Sequence, residues 1–571
     1  FADDANVLIA PATNTLIMVT EEVAPKNVVV KGNANVTLQG AGSIAGTGSL
    51  NKDGEGALNL KLENSYTGAS VIHDGVVNFQ SIADGGKPSA LGASIEYAQN
   101  WIWDGGKWNY TGSTASTNRC ATLYKETALG VDNSAAILNL NGAFTGAGNF
   151  VVDGNGIVRP GSAKFFSYTG NTVVKSGTLQ LEYIKNMTAK SRVYLGEEGN
   201  TSPKLVMAGG NFVTKSSNDQ YLNYEFPIEV LENTYSTFTI QRNCSLKCKV
   251  TGSGTLEYKI PFVREYVSGD WSGFYGTLVA NGVNSDKDGS QLMLYNSGIP
   301  NASINLKGNA RVTHWNPNVT IKLGGLSGDK GTYLGGTTKK TTGQTVTWQV
   351  GNANTNETFN GVIDRRCSAS GYNCNVNIVK EGSGYWRLTG SNTYNGTTIV
   401  TGGRLIIDGS NQGTGLMTIK ENGSLSGKGT IAGNVVVSGS VQADLSASGS
   451  CQPLTIKGKL TANNATLVIN MEDVTGTIAD DTEIKVFNLA SDIQGTGFTD
   501  IQPATPSATQ LWDTSLLATK GIIKVVSNVA NGISTPSANN TSSSAIYDLT
   551  GKKTSSPKGL YIKDGKKHIA R

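Results

Sequence analysis

Paired carboxylates are the first chemistry to seek in a chain that acts on polymers, because glycoside hydrolysis needs an acid facing a base or nucleophile. Of the adjacent acidic pairs, Glu197-Glu198 and Asp480-Asp481 stand in Gly- and Thr-rich stretches with no His or Arg beside them. Such stretches read as exposed turns. The run Asn284-Ser285-Asp286-Lys287-Asp288-Gly289 has the oxygen donors of a calcium loop but lacks the distal carboxylate. His73, His314 and His568 are scattered, with no Ser or Cys partner in a triad-like context. The expectation is therefore no catalytic constellation, no metal site and no cofactor. The six cysteines include two close pairs, Cys244/Cys248 and Cys367/Cys374. No second Cys or His pair completes a zinc set around either, so local disulfides in an oxidising compartment are expected, with buried thiols as the competing reading. Cys120 and Cys451 lack near partners and lie too far apart along an extended repeat to bond each other.

The aromatics are the more promising residues. Trp101, Trp103, Trp108 and Tyr110 fall within ten positions. On a strand, Trp101 and Trp103 share a face, as do Trp108 and Tyr110. Exposed, that row stacks on sugar rings or anchors a protein partner; buried, it fills a wide layer of core. A second cluster comprises Tyr266, Trp271, Phe274 and Tyr275. Trp101, Trp103, Trp108, Tyr110, Trp271 and Tyr275 are thus the candidate binding residues.

The elements that must carry these side chains are short strands. Of 571 residues 71 are Gly, against about 7 % in average usage, yet no three-residue period and only 14 Pro accompany them, which excludes collagen. A hydrophobic content of 38 % excludes a disordered chain. No apolar run approaches the roughly 20 residues of a transmembrane helix. The net charge is +4, from 47 Lys+Arg against 43 Asp+Glu, which is too small for a nucleic-acid footprint.

Three phrases recur. Gly-x-Gly starts appear at Gly46-Thr47-Gly48, Gly54-Glu55-Gly56, Gly146-Ala147-Gly148, Gly252-Ser253-Gly254 and Gly382-Ser383-Gly384. A Tyr phrase follows as Asn64-Ser65-Tyr66-Thr67-Gly68, Phe166-Ser167-Tyr168-Thr169-Gly170 and Asn392-Thr393-Tyr394-Asn395-Gly396. Next come Val71 to Val77, Thr172 to Leu179 and Thr398 to Leu405. Each phrase alternates apolar and polar residues and stops at Gly, Asn, Asp or Ser, the period-two signal of a half-buried strand. With no helix between strands and no linker before about residue 531, stacked rungs fit better than separate sandwiches. The fold expected is an all-β, right-handed parallel β-helix of some twenty-five rungs over 1–530. A Ser/Asn/Thr/Pro-rich linker over 531–544 and a small β-hairpin tail over 545–571 follow, with Asp564-Gly565 as the hairpin turn.

The block from Glu381 through Tyr394-Asn395-Gly396 to Arg404-Leu405 resembles the autotransporter-associated β-strand repeat of bacterial surface-protein passengers. So do Gly423 to Val437 and Leu511-Trp512-Asp513 to Val526. The likeness is strongest over 380–526, weaker over 40–80 and 145–185, and poor over 190–370. It implies a β-helix, an extracellular cell-surface location and no catalytic residues. Ala545 to Lys553 and Pro557 to Lys567 resemble a short type IX-like C-terminal sorting tail of Bacteroidetes secreted proteins; retained, it would serve docking. Residue 1 is Phe, so the numbering reads as a mature or trimmed form. The expected function is that of a secreted adhesin, spacer or scaffold acting through its side surface and loops. Its expected partners are a surface glycan or protein, an outer-membrane complex, or further copies of itself. A glycan-binding subunit of an outer-membrane uptake complex is one alternative. A polysaccharide lyase or hydrolase on the same fold is another, although the Gly-His-Gly and Arg-Ile-Lys phrases of polygalacturonases are absent.

Overall fold

The computed structural model describes residues 3–161, 163–182, 192–193, 195, 204–215, 222–240, 244–262, 265–285, 289–295, 298–337, 343–366, 374–528, 546–548, 552–554, 559–563 and 566–570. Strand follows strand in parallel register with the next turn: Asn6 pairs with Asn27, Asn27 with Ser49, Leu50 with Ser70, and Ser70 with Trp101. The result is a parallel β-solenoid of about 19 turns, with almost no helix. Many turns carry three strands, for example Trp101–Trp103, Lys107–Tyr110 and Ala115–Thr117. At about 4.8 Å per rung the rod is roughly 90 Å long.

The turn count falls short of twenty-five because some turns are long. Ser70 and Trp101, 31 residues apart, are rung neighbours, and so are Thr172 and Leu205, 33 apart. Residues inserted at the corners lengthen the turn without adding a rung. The stretch with the poorest repeat pattern is solenoid too. The 22-stranded parallel sheet runs through it without a break, from Ala115–Thr117 to Gln494–Gln502.

Strand alternation sets the inside. In Val76–Phe79 and Ile137–Leu140 every second residue is buried. Because the side-chain period is two, in-register stacking puts like positions in one inward column. One such column runs Val36, Leu58, Val77, Trp108, Leu129, Val152 and Val174, all buried. The columns join into one core reaching from Ile9 to Val525. Outward positions stack as well. Asn59 donates to Thr37 Oγ1 at 3.0 Å, Asn78 to Asn59 at 2.8 Å, and Asn109 to Asn78 at 2.8 Å. This amide ladder ties successive rungs together from outside.

At the far end the parallel pattern gives way. Glu483–Lys485, Ile522–Ser527 and Gln510–Asp513 form an antiparallel sheet. A single helical turn, Leu517–Lys520, stops at Gly521, whose φ of 67° suits glycine. Ile546–Asp548, Lys553–Thr554, Gly559–Lys563 and Lys566–Ala570 make a separate four-stranded antiparallel sheet. Lys563 pairs with Lys566 across the expected hairpin turn. Asp564, Gly565 and the 531–544 linker lie outside the described residues.

Candidate binding surface

The tryptophan row faces inward, which corrects its reading as a binding surface. Trp101, Trp103, Trp108 and Tyr110 are at most 3 % exposed. The strands Trp101–Trp103 and Lys107–Tyr110 bury exactly the alternate positions that carry the rings. Trp101 meets Trp103 at 5.2 Å, Trp108 at 5.9 Å and Phe144 at 5.8 Å between ring centroids. Edge-to-face packing of this kind fills a wide stretch of lumen. Trp271 is buried too, 5.7 Å from Phe274. None of these five rings can touch a ligand on the rod's exterior. Tyr275 remains exposed.

The cysteine expectation is corrected at one pair. Cys248 is a free thiol in the core, so no Cys244–Cys248 bridge forms, and burial pushes its pKa up to about 12. Its inward position leaves it facing the lumen. Cys374 is buried with Sγ 3.4 Å from the Thr337 N–H and 3.9 Å from the Arg365 carbonyl. Cys367 and Glu197-Glu198 lie outside the described residues, as do Asp286, Lys287 and Asp288. Cys120 and Cys451 carry no disulfide.

The other chemistry-bearing residues are occupied locally. Asp481 sits in a turn at φ 66° and pairs with Lys524 at 2.6 Å. His73 Nδ1 lies 2.8 Å from Asp104, which also holds Lys125 at 3.1 Å. His314 is buried with Nδ1 against the Asn316 main chain. His568 stacks on Tyr561 in the C-terminal sheet.

The Tyr phrase is a corner device. Tyr66, Tyr168 and Tyr394 are buried, and each hydroxyl meets the Ser or Thr four residues on: Ser70 at 2.7 Å, Thr172 at 2.6 Å and Thr398 at 2.7 Å. Burial pushes the Tyr66 and Tyr394 phenols up to about 12 and Tyr168 upward also. The Asn two residues earlier caps the preceding rung. Asn64 Oδ1 accepts from the Ile44 N–H, and Asn392 Oδ1 from the Ile363 N–H, both at 2.9 Å. The Gly two residues after Tyr leaves room for the preceding rung. A Cβ at Gly68 would lie 2.2 Å from the Gly48 carbonyl oxygen, and one at Gly170 2.2 Å from that of Gly148. Two corners also hold buried lysines. Lys380 Nζ donates to the carbonyls of Glu381, Gly382 and Gly402 at 2.6, 3.3 and 3.2 Å. Lys52 donates likewise to Asp53, Gly54 and Asp74.

What remains for contact is the exterior. Tyr275, with Asn301, Ser303, Asn352 and Thr355, lines an open groove of about 470 Å³. Of these, Ser303 and Thr355 both donate to Glu357, at 2.6 and 2.9 Å. A second groove, of about 380 Å³, is lined by Tyr266, Tyr295, Trp315, Asn223, Ser245, Ser268 and Lys247. There Tyr295 and Trp315 stack at 5.5 Å and 15°, while Tyr266 meets Tyr295 edge-on at 5.3 Å. Sequence reading found Tyr266 but missed Tyr295 and Trp315, which are twenty positions apart, one rung. Further along, Arg387, Arg404, Asp408, Lys428, Asp444 and Asp473 share a groove of about 480 Å³. Asp408 is held there by Arg387, and Asp444 accepts from Gln442 at 2.6 Å and Asn470 at 3.0 Å.

Three stretches of the chain, 50–78, 162–181 and 378–407, match the passenger-associated-transport-repeat family. Each contains one Tyr–Ser/Thr corner. The solenoid thus carries repeats of the passenger-associated-transport type, and part of it is similar to an adhesin. The chain is 33 % identical over 150 residues to the adhesin BmaC autotransporter of Brucella suis biovar 1 (strain 1330), covering 26 % of this chain and 4 % of that protein. It is 38 % identical over 98 residues to the uncharacterized protein YuaQ of Escherichia coli (strain K12), covering 16 % of this chain and 7 % of that one. The chain thus spans only a small fraction of the length of these relatives. Among the described residues, no helix is long and apolar enough to cross a membrane, and no cluster of His, Cys, Asp and Glu is suited to a metal.

Proposed function

We propose that this chain is a non-enzymatic adhesin or spacer on the bacterial cell surface, binding through the side of its rod. The observation that carries the reading is where the chemistry-bearing side chains go. Six of the eight indoles are buried, and the Tyr, Asn and Lys of the repeat fasten one rung to the next. The exterior is left to offer shallow grooves edged by Tyr, Asn, Ser and Thr. The adhesin relative supports a surface role, and the C-terminal antiparallel sheet is assigned to sorting or docking. Partners are a surface glycan or protein, an envelope complex, or other copies of the rod.

The groove holding Asp408, Asp444 and Asp473 is the feature that favours a polysaccharide lyase or hydrolase instead. Incubating the full chain with a polysaccharide panel separates the two. The adhesin reading expects bound polymer to be recovered at its original length. New reducing ends or unsaturated ends, lost in Asp408→Asn or Asp444→Asn, would overturn it.

A further inference from the structure

We propose that the groove at Tyr295 is a glycan subsite in which one pyranose ring takes the place of a missing aromatic in an exterior ladder. The proposal rests on the surface-binding reading above and names its ligand class. Register defines the ladder. Leu246, Val267, Leu294 and His314 are rung neighbours, so the residues that follow them, Lys247, Ser268, Tyr295 and Trp315, stand in one column along the side of the rod. Trp315 and Tyr295 stack as successive rungs, with rings nearly parallel at 15° and centroids 5.5 Å apart. One rung before Tyr295 the column offers only Ser268. The groove opens at that step, and Tyr266 closes its flank edge-on to Tyr295.

The gap is one rung deep, about 4.8 Å, the thickness of a single sugar ring. A pyranose has an apolar face of C–H groups that packs on an aromatic ring, and a rim of hydroxyls that must be hydrogen-bonded. Both are supplied here. Tyr295, 36 % exposed, gives the platform. Asn223, Ser245, Ser268 and Lys247 give the rim. Ser245 and Ser268 already share a hydrogen bond at 2.9 Å, which places both hydroxyls at the slot's edge. A flat apolar partner would dehydrate the Asn223 amide and the Lys247 ammonium at the rim without replacing their hydrogen bonds to water, which disfavours a lipid or an aliphatic peptide segment.

The test is binding of the full chain to a printed array of bacterial and host glycans, followed by titration of the best oligosaccharide. The wild type is expected to bind. Tyr295→Ala removes the platform and Ser268→Phe fills the slot, and each should weaken binding at least tenfold. Tyr124→Ala, at an exposed aromatic elsewhere on the rod, should change affinity less than threefold. Circular dichroism checks that each variant folds; if Ser268→Phe does not, Tyr295→Ala carries the test. Binding that survives Ser268→Phe or Tyr295→Ala overturns the proposal. A blank array overturns it too, while retention of chain-coated beads on cells would leave the broader surface-binding reading standing.

Discussion

Lys380 gives the corner device a pH signature. Its side chain is 1 % exposed, and burial lowers the ammonium pKa to about 8, with nearby Glu381 only partly opposing that shift. An unfolded lysine titrates near 10.5. Between pH 8 and 10.5 the unfolded chain therefore holds a proton that the native chain has released. Stability then rises with pH, by about 1.4 kcal/mol per unit for one proton. The contribution is fully present above 10.5 and is lost as pH falls through 8. Over the whole window it amounts to roughly 3 kcal/mol. Lys380→Met keeps the volume and removes the titration. Tyr66 and Tyr394, whose phenols are raised, pull the other way above pH 10, but they are common to both proteins and cancel in the difference. The assay is urea unfolding followed by fluorescence and circular dichroism at pH 7, 8, 9 and 10. The stability of wild type relative to Lys380→Met should climb by about 2 kcal/mol between pH 8 and 10. A flat or falling difference would refute the reasoning.

Gly68→Ala places a Cβ 2.2 Å from the Gly48 carbonyl oxygen and should destabilise the rod by about 1–3 kcal/mol, read from the urea midpoint. Tyr394→Phe strips the hydroxyl that Thr398 and Asn411 share and should cost about 1–3 kcal/mol, partly recovered with Thr398→Val. Trp103→Ala should cost about 3–5 kcal/mol in stability yet leave ligand retention by the folded protein unchanged, because the ring is in the lumen. Cys248 should resist thiol reagents in the native chain at pH 8 and react on unfolding. Rapid native labelling, detected by mass, would contradict its placement.

The architecture was legible because the stacking rule is local. Alternation in Val76–Phe79 is visible in the residues themselves, and so is the Tyr phrase that ends at Ser70, Thr172 and Thr398. The number of turns was less so, since rung spacing runs from 16 residues between Ser424 and Ser440 to 34 between Thr466 and Asp500. Period two says that Trp101 and Trp103 share a face but not which face. Their neighbours Ser70 and Ile72 on the preceding rung, both buried, decide it. The Tyr295–Trp315 pair was invisible for the same reason, because adjacency across rungs depends on a register the sequence does not print. Asp408 and Asp444 came together in one groove by that same register, though a search for adjacent acidic residues could not join them.

The central claim is that the side of a sealed rod does the work, by holding on. Beads coated with the full chain can be flowed over bacterial and host-cell monolayers while detachment is measured against shear. The account predicts retention well above that of bare beads, unchanged in Trp103→Ala and reduced by substitutions in the exterior grooves. Retention no better than that of bare beads on every surface would contradict it.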